Sequence, residues 1–85
     1  MKVAPHEIQD AIISEQYHVF PGTQTTVCCL VLQNGFTALG SSACVDPAEY
    51  DEGIGRTVAR KKAEDEVWKV LGFRLAERLM AGREG

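Results

Sequence analysis

The 85-residue chain has no long apolar run and no excess of basic residues, and each lack removes a class of function. No stretch approaches the roughly 18 apolar residues of a membrane-spanning helix. The first 20 residues carry Glu7, Asp10 and Glu15 where a signal peptide would need a continuous apolar segment, so no export signal is expected. A net charge of −3 disfavours a duplex nucleic-acid binder, which displaces counterions with many Lys and Arg. There is no C-x-x-C, and His6 and His18 stand isolated in the N-terminal third, so neither a metal site nor a bound cofactor is expected. No repeat and no Pro-, Gly- or Ser-rich linker divides the chain. It reads as one domain over residues 1–85, near the size where a single core is marginal.

What is present reads as helix, hairpin, long helix. Pro5 suits a first helical turn, and Ile8, Ala11 and Ile12 recur at helical spacing. Residues 14–24, SEQYHVFPGTQ, read as a connector with a turn at Pro21-Gly22, whose aromatics Tyr17 and Phe20 could pin it to the core. Thr25 to Gln33 is β-branched and apolar, Asn34-Gly35 is a strong hairpin signal, and Phe36 to Val45 would return antiparallel. A two-residue type I′ turn sets Gln33 opposite Phe36 and Leu30 opposite Leu39. Val27, Cys29, Val31, Phe36 and Ala38 then share one face, with Cys28, Leu30, Leu32 and Leu39 on the other. Neither face is polar, so both should be covered. Asp46-Pro47 reads as the cap and first residue of a helix running from about Ala48 to Leu79, bent or broken at Gly72. One long helix covers one sheet face, and the other needs the short helix or a second subunit. The expected fold is therefore α+β: a short N-terminal helix, an antiparallel hairpin or small sheet and a long C-terminal helix, as a homodimer.

The three cysteines, Cys28, Cys29 and Cys44, invite a metal or redox reading, but adjacent strand residues point to opposite faces. Small buried thiols are the simpler expectation. Ser41 and Ser42 follow Gly40 without the flanks of a nucleophile elbow, and no His–carboxylate pair accompanies them. No catalytic residue is expected, and the chain does not read as an enzyme.

Arg56 and Arg60 are the feature that departs from an ordinary helix. They lie one turn apart on the continuation of a stripe formed by Ala59, Ala63, Val67 and Val70. Their planar forks suit phosphate, and a nearby helix start adds partial positive charge. Glu49, Asp51 and Glu52 weaken that field. The alternative is that both arginines pair with those carboxylates on the surface.

The order of TVCCLVLQNGFTALGSSACV, DPAEYDEGIGRTVARKKA and VWKVLGFRL resembles a family of small phage proteins grouped with gp forty-nine of N4 and gp sixty-six of Sf6. Some members look like Thoeris anti-defence proteins of the first type, which sequester cyclic ADP-ribose signals without cleaving them. The resemblance implies a phage-encoded protein of the host bacterial cytoplasm that binds a cyclic nucleotide-type signal in pockets of a homodimer or larger assembly. It implies that Arg56 and Arg60 contact phosphates, with Asn34 and Phe36 as further ligand-binding candidates and Tyr50 placed to stack on a base. A different class of function is an interaction module that docks on a host protein through the apolar sheet.

Overall fold

The computed structural model describes residues 2–84, the side chains of 83 and 84 excepted. Helix α1 spans Pro5–Ala11, followed by strands β1 (Ile12–Val19), β2 (Thr25–Leu32) and β3 (Thr37–Ala43). A single 3-10 turn, Pro47–Glu49, leads to helix α2, Glu52–Glu84. The strands form an antiparallel meander in the order β1-β2-β3. This is the expected α+β arrangement of short helix, small sheet and long helix, with one strand more than a hairpin.

The extra strand corrects the connector expected at residues 14–24. Its N-terminal half alternates across the sheet. Glu15, Tyr17 and Val19 pair with Leu30, Cys28 and Thr26, while Ser14, Gln16 and His18 pair with Val31, Cys29 and Val27. A bulge separates Ile12 from Ser14, so Ile12 belongs to the strand rather than to α1. The Pro21-Gly22 turn is present, with Gly22 at φ 78° and the Thr23 N–H donating to Phe20 O at 3.1 Å.

The β2–β3 register differs by one residue from the expected one: Leu30 pairs with Ala38, and Cys28 with Gly40. The turn is the cause. Gly35 N–H donates to Leu32 O and Leu32 N–H donates to Phe36 O, closing a three-residue loop in which Gly35 alone has positive φ, 86°. The shift moves Ala38 and Gly40 to the helix side and Leu39 to the open side. It also sets Cys44 against Gln24 rather than Thr25, with its N–H donating to Gln24 O at 3.3 Å.

Helix α2 lies on the face carrying Cys28, Leu30 and Leu32, and buries Ala59, Ala63, Val67 and Leu71 against it. The fourfold spacing gives one stripe, and its alanines let the helix backbone approach the sheet closely. Ile8 of α1 joins the same core, so α1 sits on the helix side and leaves the opposite sheet face open. That face has half-buried Val27, Cys29 and Val31 at its centre. Its two outer rows, Ser14-Gln16-His18 and Thr37-Leu39-Ser41, contain no charged residue.

Asp46 does cap a turn, accepting from Ala48 N–H at 3.0 Å, but this is the isolated 3-10 turn. The long helix has a second cap: Asp51 Oδ1 accepts from Ile54 N–H at 3.1 Å. Gly72 does not break α2, which continues for 33 residues. A mid-helix glycine costs about 1 kcal/mol, which continuity with the packed turns before it and the good helix formers around it offset.

Candidate functional site

The two arginines stand on the flank of α2 nearest β1. On this flank Gly55, Ala59, Ala63 and Val67 turn toward the sheet, and Arg56, Arg60, Glu64 and Trp68 follow about 100° around the helix. Arg56 Nη2 donates to Glu52 Oε1 at 2.6 Å, and both side chains are more than half exposed. Its guanidinium also lies 5.8 Å from the centroid of the Tyr17 ring. Arg60 is more enclosed. It pairs with Glu15 of β1, donates to Glu64 at 3.1 Å and donates to Gln9 Oε1 of α1 at 3.0 Å. Gln9 donates in turn to Glu64 at 2.9 Å.

The surface-pairing alternative thus describes Arg56, which pairs with Glu52, whereas Arg60 is paired with Glu15 and Glu64 and with none of the helix-start acids. Glu15 was missed because the connector reading left β1, and hence its position beside α2, out of view; Glu64 lies one turn along the same helix, where i,i+4 spacing could have found it. Arg60 acts as a clasp across three elements. Arg56 is the freer cation, since an exposed pair contributes only about 0–1 kcal/mol and screens readily.

Tyr17, under Arg56, also faces buried Cys28 across the β1–β2 ladder. Burial is the largest cause that pushes the pKa of both groups up from its ordinary value. For Tyr17 the nearby Arg56 charge opposes the shift. Cys29, the next residue, lies on the open face, so the two thiols are separated by the sheet itself.

The remaining candidates do not join the arginines. Asn34 is in the β2–β3 turn, where its Oδ1 accepts from Phe36 N–H at 3.0 Å and holds the loop. Phe36 is 54% exposed beside Thr37, Leu39, Glu66 and Val70. Tyr50 lies at the other end of the strands, its hydroxyl 3.3 Å from that of buried Thr26. It borders a shallow groove with Ser42, Cys44, Ile54 and Val58. Six residues of β2 separate these ends, about 20 Å. Within one chain, Asn34 and Phe36 cannot share a pocket with Tyr50.

A family model described as the Phage protein (N4 Gp49/phage Sf6 gene 66) family matches residues 3–79, from the residues before α1 through most of α2. The chain belongs to this family. No curated protein and no solved structure matches it. Both arginines, the sheet and the buried stripe of this family member fall inside the matched segment. Among the described residues no helix is long and apolar enough to cross a membrane.

Proposed function

We propose that this phage-family protein sequesters a cyclic nucleotide-type signal, a cyclic ADP-ribose isomer or a cyclic oligonucleotide, by holding its phosphates without cleaving them. The observation that carries the reading is the placement of Arg56 and Arg60 one turn apart, with Arg56 over the Tyr17 ring. A phosphate can replace the exposed Glu52 carboxylate on Arg56 and gain two parallel N–H donors from its fork. Arg60 is held by Gln9, Glu15 and Glu64, so it reaches a phosphate only by exchanging one of those carboxylates for it. Tyr17 offers an aromatic face at the same place. The family resemblance supports a homodimer in the bacterial host cytoplasm. Asn34, Phe36 and Tyr50 are secondary contacts in this reading, since each already has a local structural setting.

Calorimetry with cyclic ADP-ribose isomers and cyclic di- and trinucleotides tests the proposal. Binding should be tight to at least one of them and should be lost in Arg56→Glu, with the circular dichroism spectrum unchanged. A folded protein that binds none of them sinks it.

A second reading, docking on a host protein, is favoured by the charge-free open sheet face. Interface centres are depleted of charge in this way. A stoichiometric host partner that requires Val27 and Val31 would favour docking, and a small molecule released by heat would favour capture.

A further inference from the structure

The two edges of the sheet are treated differently. Edge strand β1 carries Glu15 and a bulge, both of which discourage pairing with another strand. Edge strand β3, TALGSSA, has no charge, no proline and an unbroken register against β2. The Leu32–Phe36 hydrogen bond fixes the alternation, so Ala38, Gly40 and Ser42 direct their backbone groups to β2. Thr37, Leu39 and Ser41 direct theirs outward, and no backbone or side-chain group among the described residues meets them.

Helix α2 presents a matching row on the same side. Val58, Lys62, Glu66 and Val70 recur every four residues, with Val58 beside Ser42 and Ala43, and Glu66 and Val70 beside Thr37 and Leu39. Read in reverse, this row complements itself: Val58 meets Val70, and Lys62 meets Glu66. Lys62 forms no ion pair within the described residues, while Glu66 has only an exposed pair with Lys69 at 3.0 Å.

We infer that β3 is the interface with a second copy of this chain, paired antiparallel about a two-fold axis at Leu39 to make one six-stranded sheet. Strand and helix select the same axis independently. The Ser42 hydroxyl donates to Gly55 O, Gly40 lies against Ala59 and Ala63, and Leu39 lies beside Glu66. The level of Leu39 along α2 is therefore the midpoint between Lys62 and Glu66. An axis there sets Leu39 on its own copy and Thr37 opposite Ser41, forming about six backbone hydrogen bonds. It also sets Lys62 of each chain opposite Glu66 of the other. Both guarded β1 edges then face outward, so the assembly closes at two. By the same register, residue 36 of one copy stands beside residue 42 of the other. Phe36 thereby reaches the groove bordered by Tyr50, which it cannot do within one chain. The inference does not depend on the proposed ligand.

Sedimentation equilibrium of the full chain tests it without any ligand. The protein should sediment as a dimer, and Leu39→Lys should leave a folded monomer. Lys62→Glu should weaken the dimer about tenfold, and the double variant Lys62→Glu/Glu66→Lys should restore it, because the reversed row complements itself equally well. A monomeric wild-type protein overturns the inference. So does a dimer whose affinity is unchanged by both Leu39→Lys and Lys62→Glu.

Discussion

A Cβ atom at Gly40 would stand 2.2 Å from the backbone nitrogen of Ala63 and 2.3 Å from the carbonyl oxygen of Ala59. Sheet and helix touch backbone to backbone at this crossing. The neighbours are main-chain atoms, so no side chain can rotate aside. The buried alanines of α2 are the other half of the same contact.

Gly40→Ala should therefore destabilise the protein by about 2–3 kcal/mol, because the helix must lift from β3 and lose contacts along Ala59 and Ala63. For a domain of this size that is a fall in midpoint of about 10–20 °C. Thermal unfolding followed by circular dichroism measures it. A shift of under about 3 °C would mean that α2 does not lie this close to the sheet.

Arg56 and Arg60 should separate in their effect on stability. Arg56→Ala removes one exposed pair with Glu52 and should change stability by less than about 0.5 kcal/mol. Arg60→Ala unties α1, β1 and α2 together and leaves Glu15 and Glu64 close to each other without their shared cation. A loss of about 1–2 kcal/mol is expected, read from urea unfolding. Equal effects would remove the clasp role from Arg60.

The sequence showed the helix–sheet–helix order because its signals are local: Pro5 at a helix start, Pro21-Gly22 at a turn, and apolar runs around Asn34-Gly35. It hid β1 because the helix-facing positions of that strand are Glu15 and Tyr17. A carboxylate there reads as surface until Arg60 is known to lie across from it. It misled on register because Asn34-Gly35 fits both a two-residue turn and a three-residue loop. The loop that forms is the one that also sets Gly40 rather than Leu39 under the helix, a tertiary requirement that the turn residues do not show. Two aspartates, Asp46 and Asp51, each make a cap, and the proline after Asp46 drew the helix start too early. For the site, the spacing of Arg56 and Arg60 was legible, whereas their partners Glu15 and Gln9 lie across tertiary contacts that no local pattern reports.

Stability should fall at alkaline pH through Cys28 and Tyr17. Both groups hold their protons more tightly in the folded chain than in the unfolded one, chiefly because burial disfavours the anion. The unfolded chain therefore releases protons first, and raising the pH favours unfolding. The contribution is complete below the ordinary thiol value of about 8.5 and is lost as pH rises above it. Urea midpoints between neutral pH and about pH 10 should decline, and Cys28→Ala with Tyr17→Phe should flatten the decline. A double variant with the wild-type slope would assign alkaline sensitivity to other groups.

The distal part of α2 should be the least protected helix in the molecule. Among the described residues Leu71 is its last buried one; beyond it Phe73 is 69% and Met80 53% exposed. The helix is about 50 Å long at 1.5 Å per residue, whereas the strands beneath span about 25 Å. Its end therefore extends past the sheet, consistent with a long dimension of 57 Å against 21 and 18 Å. A helical segment without a packed face is held only by continuity with the packed turns, because short isolated helices are marginal in water. Amide hydrogen exchange should show protection falling from residues 59–71 to residues 74–82 by about a hundredfold or more. Truncation after Leu79 should leave the unfolding midpoint within about 2 °C of the full chain. Uniform protection along the whole of α2 would show that the overhang packs against something, and its apolar residues Phe73, Leu79 and Met80 would then be the place to find the contact.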